Sequence, residues 1–516
     1  MKIIAMYLPQ YHRIPENDRW WGDGFTDWVA VKEAQPLFDG HEQPNVPLNG
    51  NYYDLMDQSV MRQQADLMKK YGIDGMCIYH YYFKDGRKIL EKPAENLLKW
   101  QDIDMPFCFS WANESWVRSW SKMSEGEGNP WSAKFDRKYT GEGKSGILLE
   151  QDYGQRQDWI KHYDYLRPFF TDSRYIRVGN KPVFMIYKPD KISCIYDMLE
   201  VWNELAREDG FDGIFSIGTN TGDYQKKGLS CSTLQEPQDT ISRFFTSRYQ
   251  NDKNVMLAID YSDISDRLIY KPTEEGQCLG AFPGYDDTPR RERGGTVIYG
   301  RSPELFENQM GKIIEKASEN HAPFIFINAW NEWGEGMYLE PDEKYGYGFL
   351  QAVLNARSGK ASNQDNDPKK QLQILSDENR ELQRKCDRYK GYWEIMDEWI
   401  RLMENDEKIS YGFPDSSGNR VMIYGLGMLG KHLMNQLKKE KVNLVAAIDN
   451  KGGTNPDVKI YKPDDKLPDA DLLIVTVQYD YQRIKESIAA NVGRDCIIVS
   501  LEEVLRAALD KYKAII

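Results

Sequence analysis

The sequence lacks the features of membrane-spanning, secreted, disulfide-bonded and nucleic-acid-binding proteins. No apolar run approaches the roughly 20 residues of a membrane-spanning helix, and the start, MKIIAMYLPQYH, turns polar too soon for a signal peptide. The seven cysteines are odd in number and form no CxxC pair, which argues for reduced thiols in the cytoplasm. Because 67 Lys and Arg face 80 Asp and Glu, the net charge of -13 disfavours a nucleic-acid partner.

Metal-binding patterns are absent as well. The sequence holds no HExxH, no EF-hand loop and no clustered His and Cys ligands. We therefore predict chemistry without a metal ion.

Aromatic residues are abundant and unevenly distributed. The 516 residues include 14 Trp and 32 Tyr, and twelve of the Trp precede residue 360. The Trp-rich part ends at the polar stretch 358–368, which has the composition of a linker. We predict three parts: a catalytic domain at 1–357, a linker and amphipathic helix at 358–410, and a small α/β domain at 415–516.

The segment from Lys369 to about Asn405 has the periodicity of one long amphipathic helix. Two interpretations remain open, a coiled-coil seam of a homodimer and a helix that packs one domain on the other. The apolar residues of this segment lie three, four or seven positions apart: Leu372, Leu375, Leu382, Cys386, Tyr389, Trp393 and Met396.

The C-terminal domain has the pattern of a Rossmann-like fold. A strand at 421–424 leads through Gly425, Gly427 and Gly430 into a helix, and Asp449 ends the next strand. This is the context of a dinucleotide-binding loop. The glycines either bind a nucleotide or nucleotide-sugar together with Asp449, or only form a tight turn.

The first 357 residues alternate buried strands with helices, which predicts a (β/α)₈ barrel with a parallel sheet. Two further strands, near 232–235 and 280–283, are more weakly indicated. The six clear strands are Ile3–Leu8, Met76–Tyr82, Phe107–Trp111, Val183–Tyr187, Ile214–Ile217 and Phe324–Ala329.

In such a barrel the functional side chains follow the strands, and here those positions are aromatic and polar. Rings stack on sugar faces and amides or carboxylates bind hydroxyls, so we predict a sugar site. The predicted substrate-binding residues are Tyr7, Gln10, His12, Trp28, Tyr79, His80, Tyr81, Trp111, Asn113, Glu114, Asp287, Arg290, Asn328, Trp330 and Trp333.

Glu332 and Glu335 are the candidate catalytic pair, since glycosyl transfer needs one carboxyl group to protonate the leaving oxygen and another to assist attack. They follow a buried strand between tryptophans, and Gly334 and Gly336 allow a sharp turn. Otherwise Glu332 would cap the next helix and Glu335 would be solvated. Glu114 is a rival partner from another strand end.

The motifs, in order along about residues 1–350, resemble the WbsX-type family. This family is described as glycosyltransferases of bacterial O-antigen and capsule assembly and as glycoside hydrolase family 99-like. The resemblance rests on Tyr7-Leu-Pro-Gln-Tyr-His12, Glu16-Asn-Asp18, Trp21-Gly-Asp-Gly-Phe-Thr-Asp-Trp28, Gly72-Ile-Asp-Gly75, Tyr79-His-Tyr81, Trp111-Ala-Asn-Glu114 and Asn328-Ala-Trp-Asn-Glu-Trp-Gly-Glu-Gly336.

The resemblance implies a barrel related to the endo-α-mannosidases and a metal-independent, retaining reaction without a cofactor in the barrel. It implies that Glu332 deprotonates the sugar's own 2-hydroxyl, which attacks the anomeric carbon, and that Glu335 acts as general acid and then base. This substrate assistance departs from the usual two-carboxylate scheme.

Three functions follow as alternatives. The first is an enzyme of surface-polysaccharide assembly that transfers or trims glycosyl units on a glycan or glycolipid. The second is a strict retaining endo-hydrolase with the same glutamates and water as acceptor. The third is a catalytically silent glycan-binding scaffold, against which an intact glutamate pair counts.

Overall fold

The computed structural model describes residues 1–117, 147–245, 253, 255–359, 368–450, 458–477, 480–493 and 495–513. Within this range the chain divides into two compact units, Met1–Glu378 and Asn379–Ile516. Most of the predicted linker, 360–367, lies outside the described residues. Among the helices that the structure describes, none is both long and apolar enough to cross a membrane.

The first unit is built around eight parallel strands in chain order. They are β1 (Lys2–Tyr7), β2 (Gly75–Tyr82), β3 (Phe107–Trp111), β4 (Lys181–Ile186), β5 (Phe215–Thr219), β6 (Cys231–Thr233), β7 (Leu279–Ala281) and β8 (Phe324–Ile327).

Hydrogen bonding closes these strands into a ring. Consecutive strands from β1 to β6 pair in parallel, β7 pairs with β8, and β8 pairs with β1. A parallel bridge between Thr233 and Cys278, with the Cys278 amide 2.9 Å from the Ser232 carbonyl oxygen, joins β6 to the start of β7. The predicted (β/α)₈ barrel is therefore confirmed, including its two weaker strands.

The barrel strands are almost wholly buried, since helices cover their outer faces. The helices among the described residues of this unit are α1 (Pro15–Trp21), α2 (Asp27–Glu33), α3 (Gln58–Lys70), α4 (Lys92–Lys99), α5 (Arg156–Thr171), α6 (Ile195–Glu208), α7 (Gln238–Phe244), α8 (Tyr261–Tyr270), α9 (Thr288–Arg291), α10 (Pro303–Glu319) and α11 (Gly348–Arg357).

Short strands and 3₁₀ turns lie in the loops between these elements. The accessory strands are Lys88–Ile89, Trp116–Val117, Ile147–Leu149, Arg177–Val178, Leu257–Asp260, Tyr285–Asp286, Thr296–Tyr299, Asn331–Glu332 and Met337–Tyr338. The 3₁₀ turns are Leu48–Gly50, Pro189–Lys191, Tyr224–Lys227, Glu292–Gly294, Trp333–Glu335 and, in the second unit, Ile409–Gly412.

One long helix, α12 (Pro368–Glu404), crosses from the first unit into the second, close to its predicted bounds. The second unit holds a five-stranded parallel sheet of β9 (Arg420–Tyr424), β10 (Asn443–Ile448), β11 (Ile460–Tyr461), β12 (Leu472–Val475) and β13 (Ile497–Ser500), ordered β11-β10-β9-β12-β13. Its further helices are α13 (Met428–Lys439), α14 (Tyr481–Ile488) and α15 (Leu501–Lys513).

Candidate active site

Glu332 and Glu335 lie in a hairpin that follows β8. Asn331–Glu332 pairs in antiparallel fashion with Met337–Tyr338, and a 3₁₀ turn at Trp333–Glu335 connects them. Gly336 closes the turn at φ +59°, a left-handed conformation that favours glycine. The hairpin therefore places both carboxylates at the carboxyl-terminal end of the barrel, where (β/α)₈ enzymes bind substrate.

The guanidinium of Arg290 binds both glutamates. Its Nη2 donates to Glu332 Oε2 at 2.9 Å, and its Nη1 donates to Glu335 Oε1 at 2.6 Å. Arg290 lies in α9, in the segment between β7 and α10, and is 5% exposed. The side chain of Glu332 contacts this arginine and caps no helix, and Glu335 is held rather than freely solvated.

Asp27 accepts hydrogen bonds from the same guanidinium. Its two carboxylate oxygens accept from Arg290 Nε at 3.1 Å and from Nη2 at 3.0 Å, and Asp27 is fully buried. The Gly334 amide also donates to Asp27, at 3.2 Å. A Cβ at Gly334 would lie 2.6 Å from the Asp27 carboxylate, so this close approach requires glycine.

Tyr11 fixes the backbone of the hairpin. Its hydroxyl donates to the Asn331 carbonyl oxygen at 2.6 Å and accepts from the Trp333 amide at 3.1 Å. Burial raises the pKa of Tyr11 well above its ordinary value, which keeps the phenol a neutral donor.

Three carboxylates, those of Asp27, Glu332 and Glu335, contact the one guanidinium of Arg290. Burial raises the pKa of Glu332 to about 8; Arg290 opposes the rise, and the nearby Glu335 and Asp27 carboxylates add to it. Burial thus favours the protonated form of Glu332, and the Arg290 guanidinium favours the ionised form that can act as a base.

Beside the pair opens a cavity of about 290 Å³. Its rings and polar groups suit a sugar, which presents both apolar faces and hydroxyls. The lining residues are Leu8, Gln10, Trp21, Tyr79, Tyr81, Ala112, Glu114, Ser115, Trp116, Val117, Tyr187, Lys188, Gln235, Gln238, Tyr285, Arg290, Arg291, Glu332 and Glu335.

Five predicted substrate-binding residues line this cavity: Gln10, Tyr79, Tyr81, Glu114 and Arg290. Gln10 is 5% exposed, and its Nε2 has no hydrogen-bond partner among the described residues, so a donor is available to a substrate oxygen. Glu114, the rival catalytic carboxylate, forms an ion pair with Lys188 on the cavity wall.

Trp330, which directly precedes the hairpin, and Trp333, which lies in its turn, are both buried. Their indole nitrogens donate to Glu340 at 2.9 and 2.8 Å. Tyr53 and Gln64 donate to the same carboxylate. Burial raises the pKa of Glu340 to about 7.

The other predicted residues outside the cavity lining contact protein groups. Tyr7 donates to Gln64, Trp28 to the Tyr53 carbonyl, Trp111 to the Tyr82 carbonyl, Asn113 to the Lys188 carbonyl and Asn328 to the Glu236 carbonyl. His12 Nδ1 contacts the Pro9 carbonyl, His80 contacts His162, and Asp287 accepts from Tyr285 and the Thr296 amide. Their roles in substrate binding stay predictions.

Sequence reasoning missed Asp27 and several lining residues. Tyr187 and Lys188 directly follow β4, and Gln235 and Gln238 follow β6, so the strand-end rule would have found them once the strands were placed. Asp27 begins a short helix in what reads as a loop over the barrel mouth, and no local signal links it to Arg290.

In the second unit the predicted loop residues lie together. Gly425 has φ +92°, the Leu426 amide donates to Asp449 Oδ2 at 2.8 Å, and Gly427 precedes α13. A Cβ at Gly430 would lie 1.9 Å from the Gly425 carbonyl oxygen. The glycines thus permit a tight turn and close helix packing.

The family of the chain follows from comparison of its sequence with family models. Residues 3–353 match the model described as glycosyltransferase WbsX. The chain belongs to this family. Residues 417–498 match the model described as C2185-like, N-terminal.

Two curated relatives, both called uncharacterized protein WxcX, come from strains ATCC 33913 and B100 of Xanthomonas campestris pv. campestris. Each is 31% identical over 364 residues, which cover 69% of this chain and 49% of the relative. This WbsX family member therefore spans about half the length of the curated relatives it matches.

Among solved structures, a GH99 endo-alpha-mannosidase from Bacteroides thetaiotaomicron has a TM-score of 0.40 and 15% identity, covering 70% of this chain and 98% of that chain. A protein described as glycoside hydrolase-like has a TM-score of 0.42 and 11% identity, covering 69% of this chain and 93% of that chain.

Proposed function

We propose that the barrel is a retaining carbohydrate-active enzyme of bacterial surface-polysaccharide assembly, acting without a metal at α-mannoside-like linkages. The observation that supports this most directly is the pair Glu332 and Glu335, bound side by side to Arg290 at the edge of an aromatic cavity. Membership of the WbsX family supports a carbohydrate substrate.

In the proposed reaction the sugar supplies its own nucleophile. Glu332 takes the proton of the 2-hydroxyl while that oxygen attacks the anomeric carbon, and Glu335 protonates the departing glycosidic oxygen. Glu335 then takes a proton from the acceptor hydroxyl or water that opens the epoxide, and Glu332 returns its proton to the 2-oxygen. Two inversions at the anomeric carbon give net retention.

Arg290 and Asp27 serve this scheme by fixing both carboxylates. A guanidinium held from two sides keeps the glutamates oriented, and prior orientation lowers the entropic part of a reaction barrier. The excess of carboxylates over cations around Arg290 also stabilises positive charge at an oxocarbenium-like centre.

The cavity wall supports a sugar ligand. Tyr81 and Trp116 meet edge to face with ring centroids 5.5 Å apart, and Tyr79 and Tyr187 contact each other similarly at 6.4 Å. These rings offer surfaces to pyranose C–H groups, while Gln10, Gln235 and Gln238 offer amides to hydroxyls.

For the second unit we propose a Rossmann-like module in which Gly425 and Gly430 primarily permit close packing of α13 on the sheet. A nucleotide or nucleotide-sugar bound near Gly427 and Asp449 remains a prediction.

The test uses the purified chain with α-mannose-containing oligosaccharides and with lipid-linked or nucleotide-linked donors, followed by mass spectrometry. We expect Glu332→Gln and Glu335→Gln each to lower turnover at least about 100-fold, because each removes an acid–base group. Glu315→Gln, on the exposed face of α10, is the matched control and retains activity.

The products distinguish the alternatives. New reducing ends indicate a hydrolase, and elongated acceptors indicate a transferase. Turnover that survives both glutamate substitutions would contradict the proposed site and direct attention to Glu114. Binding of the glycan without turnover in the wild type would favour a silent scaffold.

A further inference from the structure

Helix α12 has two apolar faces in the second unit. One face contributes Ile395, Trp399 and Leu402 to the hydrophobic core of that unit. The second face, which we call the outer stripe, consists of Leu382, Cys386, Tyr389, Trp393, Ile400 and Met403.

The outer stripe is open to solvent. Tyr389 and Trp393 are 71% and 68% exposed, and Leu382, Ile400 and Met403 are about half exposed. Cys386 is exposed too. Contiguous exposed side chains of this size on one helix face mark an interaction surface.

The spacing of the stripe indicates the kind of partner. Together with Met396, whose side chain is partly buried against the core of the second unit, its members follow each other by four, three, four, three, four and three residues. This seven-residue repeat keeps one seam turned toward another helix in a left-handed supercoil. The partner is therefore a helix with a matching repeat, which a second copy of this chain supplies.

The charges that flank the outer stripe favour an antiparallel over a parallel pairing of two α12 helices. In a parallel pair in register, Lys385 of one helix would face Lys390 of the other, and like charges oppose that arrangement. In an antiparallel pair with Trp393 beside Met396 of the second copy, Lys390 instead faces Asp397. Ring and aliphatic side chains then alternate, with Tyr389 against Ile400 and Cys386 against Met403.

We propose that the chain forms a homodimer through an antiparallel coiled coil of its α12 outer stripes, centred on Trp393 and Met396. The surface ion pairs that Lys390 and Asp397 now make, with Glu394 at 3.9 Å and Arg401 at 2.9 Å, are weak and exchange readily for pairs between helices. This proposal is independent of the function of the barrel.

Sedimentation equilibrium of the full chain tests the interface. We expect the wild type to have twice the 60.1 kDa mass of one chain. Trp393→Glu and Ile400→Glu should each weaken association about 30-fold or more, since each places a charge in the seam. Arg384→Glu, on the same helix but off the outer stripe, is the control and should leave the dimer intact.

Disulfide trapping tests the direction. Copper phenanthroline with dissolved oxygen takes two electrons from a pair of thiols, which lose their protons and form one S–S bond. In Met403→Cys the antiparallel arrangement places the introduced thiol beside Cys386 of the second copy, so peptide mapping should find a 386–403 cross-link.

Three results would overturn the proposal. The first is a wild-type chain that stays monomeric at high concentration. The second is a dimer that both glutamate variants preserve with unchanged circular dichroism. The third is a wild-type 386–386 cross-link, which only the parallel direction permits.

Discussion

At the residue scale, one buried arginine organises the candidate site. Arg290 binds Glu335 through Nη1 and Glu332 through Nη2, and it binds Asp27 through Nε and the same Nη2, so the position of each carboxylate depends on the other two. Breaking a buried ion pair by removing one partner leaves an uncompensated charge, and for this reason the cluster behaves as a unit.

The charge of Asp27 adds to the rise in the pKa of Glu332, which burial mainly causes. Because the Asp27 carboxylate raises the pKa of Glu332, Asp27→Asn removes a negative charge and should lower that pKa from about 8. The carbon-13 resonance of the Glu332 carboxyl group, assigned with Glu332→Gln, reports this directly in labelled protein.

The pH dependence of the activity should change with the pKa of Glu332. A base must be ionised to act, so kcat/KM should rise with pH toward 8 in the wild type, and Asp27→Asn should move this limb to lower pH. Asp39→Asn, an exposed aspartate elsewhere in the barrel unit, is the control. A limb that falls with pH through 8 would instead make Glu332 the acid.

At the element scale, the strands were predictable and the short loop helices were not. Continuous apolar runs such as Phe107–Trp111 identify buried strands whatever surrounds them. The segment 20–28 is aromatic and glycine-rich, which reads as a loop, yet α1 ends at Trp21 and α2 begins at Asp27. Tertiary contacts to Arg290 and Trp333 stabilise that arrangement, and no local pattern encodes them.

The glycines of the loop that follows β9 are predicted to stabilise the second unit by allowing α13 to pack closely. A Cβ at Gly430 would lie 1.9 Å from the Gly425 carbonyl oxygen, so Gly430→Ala must displace α13 from the sheet. We expect a loss of about 3 kcal/mol in the free energy of unfolding of this unit, measured by urea denaturation of the full chain.

Gly427→Ala is the matched control for that prediction, because a Cβ there meets nothing within 4 Å. It should cost at most about 1 kcal/mol, the usual price of alanine before a helix. Equal stability of the two variants would show that the glycines do not serve packing.

At the scale of the whole molecule, the barrel, its order of strands and the position of Glu332 and Glu335 could be anticipated from the sequence. The partners of these glutamates could not, because Asp27 and Arg290 are 263 residues apart and meet only in the closed barrel. The same holds for Trp330 and Trp333, whose indoles look like sugar platforms in the sequence but donate to the buried Glu340.

We propose that Glu332 and Glu335 catalyse retaining glycosyl chemistry, and the anomeric configuration of the first product tests this role most directly. Proton NMR during turnover of an α-mannoside oligosaccharide should show the α-anomer first, with no product from Glu335→Gln. A β-anomer as the first product, or full activity in Glu335→Gln, would contradict the account.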